Sequence, residues 1–403
     1  GYSPLAALDS GWGWGWDLQL TRYNLANQVL SLSTGETFKV TSTDGNGQLL
    51  MKEKKIDTFH FYQDTETQYR VVHRSGMVEI LEVRGSFQNR EALPVKIYSP
   101  IGNFITLEHK AFTGVHQILS AIRDETGELL LSVERTDFLL DILMFPLAGP
   151  GATPLVRFQM ELATTDRRVQ RIVLPVDGKP SWRFSYVLRD GYLCISQMES
   201  PGGSREQMFY RDTGHEFPQG NAKPPLPRVT EHRLDPGAGQ PMVRTDYSYP
   251  GVKNFLGGGL NIDWEDDGLD NLFKLRGVYE YKCVETLVID DKAMRTVEHT
   301  YNQFHLVTQQ ITTQNNNMHS VKTEYFLDPE KSFDEQPNFF QLPRQVTALW
   351  TYLDNTSLVR SEVTSNTYDS QGNLLTQLLP SGVVQTNVWY PASASDPDDF
   401  VRN

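Results

Sequence analysis

Apolar and polar residues alternate along much of the chain, and a turn glycine interrupts the alternation at nearly constant intervals. The glycines of this series are Gly76, Gly102, Gly127, Gly151, Gly178 and Gly202, at intervals of 26, 25, 24, 27 and 24 residues. Each lies between two short apolar segments, as residues 118–122 and 129–133 lie on either side of Gly127. Period-two alternation predicts strands with one buried face, and glycine supplies the positive φ of hairpin turns. The pattern therefore predicts one β-hairpin in every repeat.

A single hairpin cannot bury its own apolar face, so hairpins repeated along a chain are expected to pair edge to edge. Apolar positions at helical spacing do not extend over ten or more residues in any segment. We therefore predict an all-β fold in which stacked hairpins form one large, curved, spiralling sheet.

The spacing and composition divide the chain into four predicted segments. Residues 1–60 hold the Trp/Gly-rich sequence and a first hairpin, and residues 61–215 carry the regular repeat. Residues 216–274, rich in Pro and Gly, are expected to form a loop-like crossover that ends in an acidic turn. Residues 275–403 return to longer alternating strands, with 276–288 and 349–368 as examples.

Composition removes several classes of function. With 37 basic and 50 acidic side chains the net charge is -13, which argues against a nucleic-acid partner. Two cysteines, Cys194 and Cys283, are too few for a disulfide framework or a cysteine-rich zinc module. The sequence shows neither a membrane-spanning apolar run nor a secretory leader, and its start at Gly1 suggests a piece excised from a longer chain.

A tyrosine–aspartate motif carries a family resemblance. Residues 368–375 read Tyr-Asp-Ser-Gln-Gly-Asn-Leu-Leu, and residues 301–307 are a degenerate copy that begins Tyr-Asn. The motif residues are Tyr301, Tyr368, Asp369 and Gly372. Together with segments 11–20, 30–40 and 262–271, the chain resembles the amino-terminal half of bacterial Rhs, or YD-repeat, proteins related to the B and C components of insecticidal Tc toxins.

The resemblance implies a structural protein that is not an enzyme. In that family the hairpins spiral into a hollow β-shell around a toxic carboxy-terminal polypeptide. The implied partners are the remainder of the shell, the enclosed toxin, and other toxin-complex or secretion-system components. The implied location is outside a bacterium that secretes or exports the protein. The implied roles are in virulence or in bacterial competition. Seventeen tyrosines suit such a wall, because each ring can pack while its hydroxyl bonds to water or cargo.

The family's aspartate-based self-cleavage segment has no counterpart before Asn403, so we assign no protease residues. The chain is expected to be part of a shell that stops just after residues 396–400. Asp398 and Asp399 are adjacent, and adjacent residues point to opposite faces of a strand, so we interpret them as linker rather than as a catalytic pair.

Motifs for other chemistry are missing from the sequence. It contains no G-x-S-x-G elbow, no H-E-x-x-H pair and no phosphate-binding glycine loop in the required context. Asp263, Glu265 and Asp267 imitate the start of a calcium loop, but Lys274 stands where a bidentate glutamate is required. We therefore predict no catalytic, cofactor or metal residues, a solvated acidic turn, and an inert, buried Cys194 thiol.

Trp12, Trp14 and Trp16 alternate with glycines and are predicted to lie on one face of an extended segment. They either line the interior of the shell or stack against sugar rings or a membrane interface. Two further hypotheses therefore stand beside the shell, a carbohydrate- or cell-surface-binding β-protein and a glycoside-processing enzyme. A shell predicts apolar inward positions along the sheet, a lectin predicts a few exposed aromatics beside Asp and Asn, and an enzyme predicts two converging carboxylates.

Overall fold

The computed structural model describes residues 1–86, 89–113, 116–145, 154–210 and 213–389. These residues form 27 strands and two 3₁₀ turns, Leu272–Lys274 and Phe333–Glu335, and contain no α-helix. Neighbouring strands of the described chain pair antiparallel, as β10 (His116–Arg123) does with β11 (Leu129–Arg135). The prediction of an all-β fold built from successive hairpins is confirmed.

No helix in the described ranges has the length and apolar character needed to cross a membrane.

The chain divides into two compact units. Unit 1 comprises Gly1–Lys52 and Thr58–Glu206, and unit 2 comprises Glu53–Asp57 and Gln207–Asn403. Strand β17 (Arg205–Phe209) contains the boundary at Glu206. The division into four segments stays a prediction.

The first eight strands of unit 1 close on themselves around one hydrophobic cluster. They are β1 (Arg22–Asn24), β2 (Val29–Ser31), β3 (Thr37–Thr43), β4 (Leu49–Met51), β5 (Phe59–Gln63), β6 (Gln68–His73), β7 (Val78–Arg84) and β8 (Glu91–Tyr98). Strand β1 pairs with both β2 and β8, and the Gln63 N–H donates to the Gly47 carbonyl between the β4 and β5 ends. Leu30, Phe59 and Val71 are among the buried side chains of this cluster. Because successive residues of a strand point to opposite faces of the sheet, each strand contributes alternate residues to the shared core.

The remaining strands of unit 1 continue from β8 as consecutive hairpins. They are β9 (Phe104–Phe112), β10, β11, β12 (Leu139–Met144), β13 (Val156–Leu162), β14 (Val169–Val173), β15 (Ser181–Arg189) and β16 (Tyr192–Glu199). Their buried residues form a second cluster that includes Ile118, Leu140 and Val169. The predicted turn glycines Gly76, Gly102, Gly127 and Gly178 all have positive φ, whereas the last such turn uses Gly203 instead of Gly202. Gly151 lies outside the described residues.

Unit 2 is a second run of antiparallel strands. They are β18 (Glu231–Asp235), β19 (Val243–Ser248), β20 (Glu280–Ile289), β21 (Lys292–Asn302), β22 (Val307–Gln314), β23 (Asn317–Tyr325), β24 (Pro343–Tyr352), β25 (Val359–Tyr368), β26 (Leu374–Leu378) and β27 (Val384–Thr386). Two of these strands, β18 and β19, lie within segment 216–274, which was predicted as a loop-like crossover. The predicted strand 349–368 is wrong, because residues 353–358 form the turn between β24 and β25.

Candidate functional site

The tyrosine–aspartate motif forms a five-residue hairpin turn between β25 and β26. The Asp369 N–H donates to the Asn373 carbonyl at 3.0 Å, and the Gly372 N–H donates back to the Asp369 carbonyl at 3.1 Å. Asp369 Oδ1 accepts from the backbone N–H groups of Gln371 and Asn373, both at 2.9 Å. Asp369 and Asn373 are bonded to each other, so residues 370–372 form a three-residue hairpin loop. Gly372 has φ of +81°, as the left-handed position of such a loop requires. The aspartate and the glycine therefore determine the geometry of the turn, and the ladder shifts register at Tyr368.

The degenerate copy at residues 301–307 builds the same turn from different side chains. Asn302 Oδ1 accepts from the N–H groups of Phe304 and Leu306 at 2.9 and 3.1 Å. His305 takes the left-handed position, with φ of +59°. Turns with the same bonding pattern begin at Asp44 and Asp124, where Gly47 and Gly127 take the left-handed position. The sequence signal for this turn is thus an Asp or Asn followed, three residues later, by a residue that tolerates positive φ.

Tyrosine hydroxyls in both units bond to the main chain of a neighbouring strand. Tyr186 donates to the Val169 carbonyl at 2.7 Å in unit 1, and Tyr325 donates to the Val307 carbonyl at 2.8 Å in unit 2. The motif residue Tyr368 donates to the Pro343 carbonyl at 3.3 Å. For these tyrosines the predicted bond to water or cargo is replaced by a bond between strands. Burial raises the pKa of all three hydroxyls, so they stay protonated as donors.

The Trp/Gly segment is not the extended strand that the sequence predicts. Gly11, Gly13 and Gly15 have φ of +121°, +96° and +75°, values that side-chain-bearing residues rarely adopt. A Cβ on Gly11 would lie 2.9 Å from Ile118 Cδ1, and one on Gly13 would lie 2.8 Å from Val169 Cγ2. The glycines therefore bring the backbone of the segment into direct contact with the strands beneath it, and the three indoles do not share one face of a strand.

The three tryptophans have different surroundings. Trp12 is buried within the second cluster of unit 1. The Trp16 ring lies 5.0 Å from Phe184, and its Nε1–H donates to the Tyr186 hydroxyl at 2.9 Å. Trp14 is half-buried, and its backbone N–H donates to the Arg167 carbonyl at 3.0 Å. Packing against the sheet occupies Trp12 and Trp16, which leaves little of either ring for stacking with a ligand.

A buried ion pair holds the segment in place. Asp9 Oδ1 accepts from the N–H groups of Gly11 and Gly13, both at 2.9 Å, and Asp9 Oδ2 accepts from Arg135 Nη2 at 2.9 Å. The Arg135 Nε–H also donates to the Gly11 carbonyl at 3.0 Å. The side chains of Asp9 and Arg135 are only 15% and 5% exposed. Sequence analysis missed this clamp, because no local pattern links two residues that are 126 positions apart.

Two lysines form ion pairs with three carboxylates of the acidic turn of unit 2. Lys274, the residue that breaks the calcium-loop pattern, forms ion pairs with Glu265 and Asp267. Asp266 pairs with Lys223, which lowers the pKa of that carboxyl, and it also accepts from the Trp264 indole N–H. Within the described ranges, no group of three or more His, Cys, Asp or Glu side chains could hold a metal ion. Because these carboxylates are already bonded to lysine and to the backbone, we interpret this segment as a structural turn.

A hydrogen-bonded series of Asp270, His305 and Tyr281 lies beside this turn and was not predicted. Asp270 Oδ2 lies 2.8 Å from His305 Nε2, and the Tyr281 hydroxyl lies 2.9 Å from His305 Nδ1. Burial, followed by the nearby Tyr301, raises the pKa of Tyr281. A phenol held in its protonated form is a donor and a poor nucleophile, so the series connects three segments of unit 2 rather than activating a reactive oxygen.

The two cysteines are free thiols. Cys194 is buried, and burial raises its pKa to about 11. Burial also raises the pKa of Cys283, which is half-buried. Nucleophilic thiols have lowered pKa values, so neither cysteine has the properties of a catalytic residue. Asp398 and Asp399 lie outside the described residues.

Comparison with known proteins gives likenesses only at the level of solved structures. No protein-family model matches the chain, and no curated protein matches it. A crystal structure of TcdB2-TccC3-Cdc42 aligns over 91% of the chain with 10% identity and a TM-score of 0.36. TcdB2-TccC3 without its hypervariable C-terminal region aligns over 91% with 9% identity and a TM-score of 0.35.

A Photorhabdus luminescens Tc holotoxin pore aligns over 89% of the chain with 8% identity and a TM-score of 0.32. In each of these three alignments the chain spans 19% of the matched chain. The chain is thus similar to parts of Tc toxin structures, at TM-scores too low to support an argument about its function.

Proposed function

We propose that this chain is a structural, non-enzymatic part of the wall of an Rhs-type or Tc-like toxin shell, which encloses a toxic polypeptide. The observation that carries the proposal is the recurrence of one turn. The Asx-capped hairpin at Asp369 returns at Asn302, Asp124 and Asp44, in both units. A chain that repeats one hairpin geometry over its length builds extended sheet, which is suited to forming a surface.

Hydrogen bonds between strands support a role as a wall. Tyr186, Tyr325 and Tyr368 each connect a strand to the main chain of its neighbour through a partly buried hydroxyl. Such bonds resist the separation of adjacent hairpins, and a barrier around a cargo requires this resistance. They also explain why a repeat is marked by tyrosine, whose ring packs while its hydroxyl bonds to a carbonyl.

The Trp/Gly segment supplies a second layer over part of the sheet in unit 1. Trp12 fills the hydrophobic cluster, and Trp16 packs against Phe184. We propose that Trp12, Trp14 and Trp16 act in the wall by covering its apolar surface. The four segments 1–60, 61–215, 216–274 and 275–403 would then be successive parts of one wall.

The proposed partners are the remainder of the shell and its enclosed toxin, together with other components of a toxin complex or secretion system. The proposed location is outside the bacterium that exports the protein. No catalytic residue is proposed, because the carboxylates of the acidic turn and the two thiols lack the arrangement or the pKa that catalysis needs.

Electron cryomicroscopy of the native protein, purified from its source without truncation, tests the proposal. We expect a particle whose wall contains this chain and whose interior holds density that the wall does not account for. Limited proteolysis of the same sample should leave the internal polypeptide intact until denaturant opens the wall. A solid particle, or an internal segment that is cleaved as fast as an exposed one, would contradict an enclosing role.

A further inference from the structure

Unit 2 contains a groove at one end of β23, β24 and β25. Its volume is about 560 Å³, within the range of small-molecule sites. The residues that line it and carry the argument are Asn317, His319, Trp350, Tyr352, Leu358 and Arg360. Neither the tyrosine–Asx turns nor the Trp/Gly segment contributes to this groove.

Strand register explains why these side chains meet. His319 and Arg360 lie opposite Trp350 on the two neighbouring strands, and Asn317 lies opposite Tyr352. Residues opposite each other in antiparallel strands share a face, as do residues two apart on one strand. The five polar and aromatic side chains therefore project from the same face of the sheet.

The aromatic rings have different roles in the groove. The His319 and Trp350 rings are stacked, with centroids 4.8 Å apart and an interplanar angle of 16°, and the Arg360 guanidinium lies 5.3 Å from the Trp350 centroid. The Trp350 indole is thus already in contact with His319 and Arg360, and it lines the side of the groove. Tyr352 is 46% exposed and appears in no ring contact of the described chain. Its ring is the platform on which a ligand can stack.

Polar atoms in the groove lack partners. The Nε2 atom of His319 is buried without a hydrogen bond to any described residue, so a ligand in the groove would meet the His319 ring rather than this nitrogen. The side-chain amide of Asn317 and the hydroxyl of Tyr352, on two exposed residues, make no hydrogen bond to another described residue. Amide and phenol groups each offer both donors and acceptors.

The groove carries no uncompensated charge. Arg360 pairs with Glu362 on the same strand, and no carboxylate is among the described residues that line the groove. An anionic ligand would therefore meet a cation that already has a partner. A neutral ligand with an apolar face and many hydroxyls fits the open tyrosine and the mixed donors and acceptors. We propose that the groove binds a neutral saccharide, with one ring stacked on Tyr352 and hydroxyls bonded to the exposed side-chain amide of Asn317.

Titration calorimetry and saturation-transfer NMR of the whole chain test this site. The probes are N-acetylglucosamine, galactose and cellobiose, with glucuronic acid as an anionic probe and a Gly-Phe-Gly tripeptide as a peptide probe. We expect at least one neutral sugar to bind with a dissociation constant of roughly 1 mM, as ordinary ligand efficiency predicts for about a dozen heavy atoms. Tyr352→Ala should weaken that binding at least tenfold.

The matched control is Phe138→Ala, because Phe138 is an aromatic residue of similar exposure, 41%, that lies under a guanidinium in unit 1. It should leave sugar binding unchanged. Unchanged thermal unfolding of Tyr352→Ala would establish that the variant folds. The proposal is overturned if no neutral sugar binds, if only glucuronic acid or the tripeptide binds, or if both alanine variants lose affinity equally. None of these outcomes depends on whether the chain forms part of a shell.

Discussion

Removing the carboxylate of Asp9 should detach the Trp/Gly segment from the sheet of unit 1. In the native structure this carboxylate accepts two backbone N–H groups and the Arg135 guanidinium. Asp9→Ala leaves Arg135 buried at 5% exposure, with no carboxylate to balance its charge and with the Gly11 carbonyl as its remaining hydrogen-bond acceptor among the described residues. It also leaves the N–H groups of Gly11 and Gly13 without their acceptor. Trp12, which follows directly, then loses the anchor that holds it in the cluster.

The size of the effect follows from the burial of the pair. Breaking a buried ion pair by removing one partner costs about 3–5 kcal/mol, because the remaining charge is uncompensated. The two lost backbone bonds act in the same direction but are not additive with that figure. Asp9→Asn keeps an oxygen for the N–H groups of Gly11 and Gly13 but places an NH2 group where Arg135 needs an acceptor. It therefore loses the ion pair as well and should cost about 1–2 kcal/mol less than Asp9→Ala, which is the contribution of the two retained backbone bonds.

Native-state hydrogen exchange gives the most direct readout. The amides of Gly11 and Gly13 should exchange faster in Asp9→Ala by the factor that corresponds to the lost free energy of local opening. Urea unfolding followed by tryptophan fluorescence should show a lower transition midpoint for unit 1, with Asp9→Asn between Asp9→Ala and the parent.

Asp17→Ala is the matched control within the same segment. Asp17 pairs with Arg22, but the two side chains are 37% and 31% exposed, and exposed pairs contribute about 0.2–1 kcal/mol. If Asp9→Ala cost no more than Asp17→Ala, the clamp would be dispensable and the interpretation of the segment as a fixed second layer would be wrong.

Four further outcomes are expected. Asp369→Ala should lower the free energy of unfolding by about 1–2 kcal/mol in urea titrations and Asp369→Asn by less, because an amide oxygen can still cap the turn; equal losses would contradict the capping role. Tyr325→Phe should cost about 1 kcal/mol by leaving the Val307 carbonyl unpaired, and no loss would mean that the bond is not formed. Burial, with Arg84 and Arg22 nearby, lowers the pKa of His109 from 6.5 to about 4. The unfolded chain therefore takes up the proton first, and the free energy of unfolding should fall as the pH drops from 6.5 to about 4; His109→Gln should remove that part of the slope. Cys194, with a pKa of about 11, should react with a disulfide reagent far more slowly in the native protein than in urea, and equal rates would refute its burial.

The hairpin architecture could be predicted from the sequence, because it depends on residues that lie close together in the chain. A turn such as residues 124–128 needs only an Asp that caps two N–H groups and a Gly at positive φ, and both are visible at a fixed spacing. Alternation then assigns one face of each strand to the core. The period of one hairpin per repeat was predictable for the same reason.

Contacts that depend on the register between strands could not be predicted. Which strand lies opposite Trp350 depends on register, so the stack of His319, Trp350 and Arg360 has no local signature. The backbone of the Trp/Gly segment was also predicted wrongly. Alternating Trp and Gly matches the period of a strand, but three glycines at positive φ produce an irregular segment that follows the surface beneath it.

The degenerate motif at residues 301–307 indicates why such repeats tolerate substitution. Asn302 replaces aspartate at little cost, because capping needs only one side-chain oxygen. His305 replaces glycine at a position where a side chain costs about 1–2 kcal/mol, yet its ring bonds to both Asp270 and Tyr281. Glycine could not make those bonds. His305 therefore gives the turn a second role, because it connects the acidic segment to β20 while the hairpin geometry is retained.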